Sequence, residues 1–318
     1  MGRALVAVFG FAGIVACGGS NADKPIASMP AYPDAKDAKA EKATTETTSA
    51  PAKKDPKSIC AGASADVKVS LETRVPRSLD EADKPGSGSV SSRNAKGTYS
   101  MADLQALEKK NAWEELLMHA EDVAPAQRNA GWEKLVTKAA TGYMQQLSGD
   151  TTAYEGIFTS QALVTRYPHL QKEKEFMAKR EEAGKKAADR CLQDAYRGDH
   201  CLDLMKDFLK TPGTSPEAGF AFGKITRLRQ NHYVAVPFFK WALDQKKDAA
   251  MCGDEDLRLA VVAGLGLPPD YENAAGARHL ATTCWEQLKP VVEKELTAEP
   301  SGYNRDNMCA VLKAKGAL

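Results

Sequence analysis

The chain has 318 residues, a formal net charge of +1 and a mean hydropathy of −0.43. Its 43 basic and 42 acidic residues nearly cancel, so there is no bulk positive charge to attract nucleic acid or anionic lipid. We therefore expect no nucleic-acid partner, and the length is sufficient for one or two domains.

The N-terminus has the pattern of an export signal. Arg3 precedes an apolar run of 13 residues, 4–16, which is shorter than the roughly 20 residues that a membrane-spanning helix needs. The run ends in Ile-Val-Ala-Cys, which resembles the lipobox of bacterial lipoproteins. The resemblance implies that residues 1–17 form a lipoprotein signal peptide and that Cys17 carries a diacylglycerol and an acyl chain such as palmitate. Two or three acyl chains hold a protein stably on a membrane.

The same resemblance implies a location. Gly18, rather than Asp, follows Cys17, and in the sorting rule of enteric lipoproteins this favours the outer membrane. The expected place is therefore the bacterial cell envelope, on the periplasmic side, with Cys17 as the membrane attachment. The alternative is an ordinary signal peptide that is cut elsewhere, in which the cysteine is incidental.

Two segments of low apolar content follow. Residues 18–57 are rich in Ala, Lys, Thr, Asp and Pro, which predicts a disordered tether with a mean span of about 35–40 Å. Residues 58–97 are expected to be loosely structured. Within them, Val67, Val69 and Leu71 alternate with polar residues, which predicts one short β-strand at 65–75.

From residue 98 to residue 318 the apolar side chains recur with the 3.6-residue period of a helix. The connections are short and no strand–helix–strand alternation occurs, so the predicted fold class is all-α, an antiparallel helix-pair stack of the α-solenoid kind. Besides helices before residue 143, we expect helices near residues 154–166, 170–196, 199–210, 216–229, 235–246, 254–264, 271–297 and 304–314.

One part of this domain has a recognisable pattern. Residues 236–281 contain FFKWAL, a turn, a helix that ends in VVAGLGL, and then PPDYENAAGARHLA. This segment resembles a Sel1-type repeat, a relative of the tetratricopeptide repeat, in which helix pairs stack on one another. The resemblance implies a solenoid whose surface binds other molecules.

Six cysteines remain besides Cys17, and an even number in an exported chain favours disulfide bonds. Cys191 and Cys201 each lie five residues from Tyr196, beside a predicted turn, so they sit at the same level of a helical hairpin. We expect them to pair. The alternative is a zinc site built from these two thiols and His200, although no Cys-x-x-Cys motif is present.

The same argument applies to the remaining cysteines. Cys252 and Cys284 each lie 16 residues from Pro268, near another predicted turn, and are expected to face each other. By elimination Cys60 pairs with Cys309, which would join the segment before the helical domain to its last helix.

Motifs for phosphate loops, zinc proteases, serine hydrolases and calcium loops are absent. One polar set stands out: Glu115, His119 and Asp122 are spaced so that they share one helix face, where they could bind a metal or transfer protons. The alternative is a solvated face, with Asp122 as the N-cap of the next helix. The charged run KREEAGKKAADR at 179–190 also predicts a solvent-exposed face.

These observations favour a lipid-anchored envelope protein whose helical-repeat domain is a non-catalytic scaffold, without a cofactor, that binds another envelope protein or a cell-wall component. One alternative is an envelope enzyme whose site is assembled from distant residues, with Glu115, His119 and Asp122 as candidates. The other is a carrier of a small ligand or metal. A deep pocket that gathers His119 with carboxylates would favour the enzyme, and a smooth concave apolar groove would favour the scaffold.

Overall fold

The computed structural model is all-α, as the spacing of apolar residues predicted. It describes residues 55–61, 63, 99–151, 153–194, 197–298 and 302–318, which contain no strand. Cys17, the predicted tether up to residue 54 and the predicted strand at 65–75 lie outside these residues. Within the described part of the chain, no helix is both long enough and apolar enough to cross a membrane.

The α-helices of the described residues are α1 (Pro56–Ile59), α2 (Met101–Lys109), α3 (Trp113–His119), α4 (Ala130–Gly149), α5 (Tyr154–Phe158), α6 (Ser160–Arg166), α7 (Lys174–Gln193), α8 (Gly198–Leu209), α9 (Pro216–Arg229), α10 (Val236–Gln245), α11 (Ala249–Cys252), α12 (Glu255–Leu265), α13 (Glu272–Thr283), α14 (Trp285–Thr297) and α15 (Gly302–Ala314). Short 3₁₀ turns lie at Ala120–Asp122, Pro125–Gln127, Pro168–Lys172 and His232–Ala235.

Polar side chains fix several helix starts. Ser100 and Asp103 form a reciprocal capping box at α2, where each side chain accepts a hydrogen bond from the other residue's backbone N–H. At α4 the cap is Asn129, whose side chain accepts from the amides of Gly131 and Trp132. The prediction that Asp122 caps this helix is wrong, because Asp122 instead ends a 3₁₀ turn seven residues earlier.

Each long helix packs against the next one in a series. Contacts run from α3 to α4, α4 to α7, α7 to α9, α9 to α10, α10 to α13, and α13 to α15. Short connections such as the one between α9 and α10 make sequential neighbours antiparallel. The result is the stacked arrangement that the sequence predicted.

The buried apolar side chains form two clusters. The first involves helices α2 to α8, and the second involves α10 to α15, with Ile59 and Cys60 packed against it. Helices α9 and α10 contribute to both, since Phe222 and Phe238 belong to the first cluster while Phe220 and Phe239 belong to the second. These phenylalanines meet edge to face, which suits the ring quadrupoles.

Helix α7 corrects one expectation. The run 179–190 is predicted to be a solvent-exposed face, and Glu182 and Lys186 do lie on such a face, but the other side of α7 packs on α4, α5, α8 and α9. Its small residues make this close packing possible: a Cβ at Gly184 would come within 2.7 Å of the Phe208 ring. The buried positions of the run are Arg180, Ala183, Gly184, Ala187 and Ala188.

Arg180 is fully buried although no carboxylate forms an ion pair with it among the described residues. Its guanidinium donates hydrogen bonds to the hydroxyls of Ser160, Thr211 and Thr214 and to the backbone carbonyl of Phe208. It also lies 3.6 Å from the centroid of the Phe208 ring. Burial lowers the pKa of Arg180 to about 10, against a partial opposing effect of Glu181.

All three expected cysteine pairs are confirmed as disulfides. Cys191–Cys201 joins α7 to α8 across the predicted hairpin, with 5.8 Å between the Cα atoms. The other two disulfides are Cys252–Cys284, with a Cα separation of 5.2 Å, and Cys60–Cys309, with 5.6 Å across 249 residues of sequence. The zinc alternative therefore fails in this structure, because both of its thiols are consumed in a disulfide.

Candidate functional site

A wide groove of about 700 Å³ lies between α4 and the segment that leads into α7. We call it the α4 groove. One wall is made by α4 between Ala130 and Gln145, which is about 22 Å of helix at the usual rise per residue. The opposite wall is made by residues 169–179.

The α4 wall consists of two rows of side chains spaced four residues apart. The first row is Glu133, Thr137, Thr141 and Gln145, and the second is Ala130, Lys134, Lys138 and Gly142. Steps of four residues rise about 6 Å along a helix and turn about 40° around it, so each row is inclined by roughly 26° to the helix axis. Thr137 and Thr141 are half-buried, and the Thr141 hydroxyl donates to the Thr137 carbonyl at 2.9 Å.

The opposite wall contributes His169, Glu173, Glu175 and Lys179. The first two belong to the 3₁₀ turn that begins at Pro168 and to the residue after it. Glu175 and Lys179 are four residues apart on the first turns of α7, so they point to the same side of that helix. The opposite wall is therefore set by the junction between the 3₁₀ turn and α7.

The two walls carry opposite net charge. On the α4 wall, Lys134 and Lys138 outnumber Glu133, while on the facing wall Glu173 and Glu175 outnumber Lys179. No ion pair between described residues bridges the groove.

Two of these charged side chains form ion pairs with residues outside the groove, and the others form none with a described residue. Lys138 pairs with Glu108 at 2.6 Å, and Lys179 pairs with Glu182 at 3.1 Å. Among the described residues, the remaining four have no ion-pair partner: Glu133, Lys134, Glu173 and Glu175. These charged groups are available to a bound molecule.

Trp113 closes one end of the α4 groove and links it to a second depression. Its indole packs against Gly142, and it also lines a shallow pocket of about 430 Å³ together with Glu114, Glu115 and His119. Trp113 therefore separates the α4 groove from a pocket lined by two of the residues that sequence analysis selected, Glu115 and His119.

The predicted polar set forms only in part. His119 Nδ1 lies 2.7 Å from a carboxylate oxygen of Asp122, and the imidazole stacks on the Tyr99 ring at 4.0 Å between centroids. Glu115 and Asp122 are exposed, and Glu115 makes no hydrogen bond or ion pair with a described residue. Because α3 ends at His119, only His119 and Asp122 are brought together.

The pocket beside His119 is open rather than deep, and in the described part of the chain no group of three or more His, Cys, Asp or Glu side chains is arranged to hold a metal ion. No protein family, curated protein or solved structure shows significant similarity to the chain.

Sequence reasoning did not select the groove residues. The polar row at 133, 137, 141 and 145 is visible as a four-residue spacing on a helix whose other face is apolar. That signal does not distinguish a groove wall from an ordinary solvated face, because the facing wall comes from residues about 30 positions later.

Proposed function

We propose that this chain is a lipid-anchored protein of the bacterial cell envelope whose helical domain binds another envelope protein in the α4 groove. The anchor part rests on the resemblance of residues 14–17 to a lipobox, with Cys17 as the lipid attachment and the outer membrane as the expected site. The binding part rests on the groove.

The observation that carries the proposal is an open groove with oppositely charged walls, in which three carboxylates and the amine of Lys134 have no ion-pair partner among the described residues. The groove is polar, unlike the smooth apolar groove expected of a scaffold. Charged side chains on an unoccupied surface confer specificity and speed of association more than affinity, which suits a docking site for another protein. A scaffold of stacked helices also presents an extended concave surface of this kind.

A photo-crosslinking amino acid at position 141, in the middle of the α4 groove, tests this function in intact cells of the source organism. The matched control carries the same amino acid at position 165, on α6, whose side chain is exposed and does not line the groove. We expect a discrete adduct of defined mass from position 141 and none from position 165.

The adduct is then tested for specificity with Thr141→Trp, which fills the groove, in a protein that carries the crosslinker at the neighbouring position 137. Loss of the adduct supports binding in the groove. Equal adducts from positions 141 and 165, or an adduct to polysaccharide instead of protein, would contradict the proposal.

A further inference from the structure

We infer that the α4 groove binds an extended peptide segment in which acidic and basic residues alternate. This inference rests on the proposed function and adds the chemistry of the bound segment. It follows from three features of the groove: its length, the uncharged polar side chains on its α4 wall and the opposite charge of its two walls.

The length of the groove suits an extended chain. About 22 Å of α4 lines it, and an extended peptide advances about 3.3 Å per residue, so the groove accommodates six or seven residues. The rows on α4 repeat about every 6 Å, close to the roughly 6.6 Å that separates every second residue of an extended peptide. Side chains that point to the same side of such a peptide therefore meet successive members of a row.

The first row of the α4 wall supplies groups that can form hydrogen bonds with a peptide backbone. Thr137 and Gln145 carry a hydroxyl and an amide group, which can donate and accept hydrogen bonds, and the Thr141 hydroxyl, which donates to the Thr137 carbonyl, can still accept one. An uncharged, rigid ligand would satisfy these groups but would leave the charged walls without partners.

The charges of the two walls determine which peptide sequence fits the groove. In an extended peptide, successive side chains point to opposite sides, so alternating Glu and Lys present one acidic edge and one basic edge. The acidic edge faces Lys134, which has no ion-pair partner among the described residues, and Lys138, which also pairs with Glu108. The basic edge faces Glu173 and Glu175. A polyanion or a polycation would be attracted by one wall and repelled by the other.

Fluorescence anisotropy with labelled octapeptides and the complete protein tests the inference. The probe is (Glu-Lys)₄, and its matched control is Glu₄Lys₄, which has the same composition and net charge without the alternation. An octa-Glu peptide and a chitin tetrasaccharide serve as further probes. We expect (Glu-Lys)₄ to bind at least tenfold more tightly than any of the others, and its affinity to fall with added salt.

Two variants locate the binding. Thr141→Trp should reduce (Glu-Lys)₄ binding at least tenfold, while Thr165→Trp should leave it unchanged. The double variant Glu173→Lys/Glu175→Lys makes both walls basic, and it should lose the preference for (Glu-Lys)₄ and gain binding of octa-Glu. A gain of binding is not a result that misfolding produces.

The inference is overturned if Glu₄Lys₄ or the tetrasaccharide binds as well as (Glu-Lys)₄, if no peptide binds, or if Thr141→Trp has no effect. The proposed function survives these results provided that the adduct from position 141 is still formed in cells. If that adduct is missing while (Glu-Lys)₄ binds in the groove, the groove still has the inferred peptide specificity, but the proposed binding of another envelope protein in cells is wrong.

Discussion

The indole of Trp113 lies directly against the backbone of Gly142, so close that a Cβ at residue 142 would be 2.6 Å from the ring. This contact joins α3 to α4 at the end of the α4 groove. Only a glycine allows it, because any side chain at this position would displace the indole.

We expect Gly142→Ala to lower the free energy of unfolding by about 1–2 kcal/mol, since the clash outweighs the gain in helix propensity. Gly149→Ala in the same helix is the matched control, because nothing lies within 4 Å of its added Cβ. Urea unfolding should show the control to be neutral or slightly stabilising. Equal effects of the two substitutions would mean that the Trp113 contact does not constrain position 142.

The buried guanidinium of Arg180 gives a second prediction. Arg180→Lys keeps a buried charge but cannot reach all of the hydroxyls and the carbonyl that Arg180 binds, so we expect a loss of about 3–5 kcal/mol. Arg180→Met removes the charge and its desolvation cost, so the loss should be smaller, about 1–3 kcal/mol. Urea unfolding measures both.

Arg229→Lys is the control for this pair, because Arg229 forms an exposed ion pair with Asp189 at 2.8 Å. Its unfolding midpoint should match that of the unsubstituted protein. If the methionine variant at position 180 were less stable than the lysine variant, burial of the charge would not be the dominant cost.

The environment of the Asp244 carboxyl predicts that the free energy of unfolding depends on pH. Burial opposes its ionisation, but hydrogen bonds from Lys240 and His279 outweigh burial and hold the pKa of Asp244 below its ordinary value of 3.8. A depressed pKa means that the carboxylate stabilises the fold above pH 3.8 and that this contribution is lost as the pH falls through the folded-state pKa.

The Asp244→Asn variant should therefore lose less stability than the unsubstituted protein when the pH is lowered from about 5 to about 2. Thermal unfolding across this range measures the difference. Asp270→Asn, at an exposed position between α12 and α13 without an ion pair to a described residue, is the control for the removal of one carboxylate. Parallel profiles for Asp244→Asn and the unsubstituted protein would show that the ionised Asp244, with its bonds to Lys240 and His279, does not contribute to stability.

The expected lipid on Cys17 is tested by Cys17→Ser. We expect the unsubstituted protein to sediment with membranes and to partition into detergent, and the variant to be released from membranes or to remain unprocessed. Labelling with an alkyne-tagged palmitate analogue should mark the unsubstituted protein alone. Retention of label in the variant would place the acyl chain elsewhere.

The cysteine pairs were predictable from sequence because the positions of cysteines relative to a turn fix their level along antiparallel helices. Cys191 and Cys201 are ten residues apart around one turn, and the structure joins them. The pairing of Cys60 with Cys309 followed only by elimination, since nothing local connects residues 249 positions apart.

The role of α7 was not predictable in the same way. The charged run 179–190, which contains Arg180, predicts a solvent-exposed face, because the composition of the run does not reveal that several helices pack around α7. The buried stripe is made of Ala and Gly, which carry little signal on a hydrophobicity scale. The α4 groove was missed for a related reason, since its second wall depends on where the chain after Pro168 is placed by long-range packing.

The disulfide between Cys60 and Cys309 closes the described domain into a covalent ring. A force applied to the chain before Cys60 therefore passes through the sulfur atoms to the last helix, and it cannot unravel the helices one after another from Tyr99. For a protein held at one end, the load would fall on α15 and on the second apolar cluster, against which Cys60 packs.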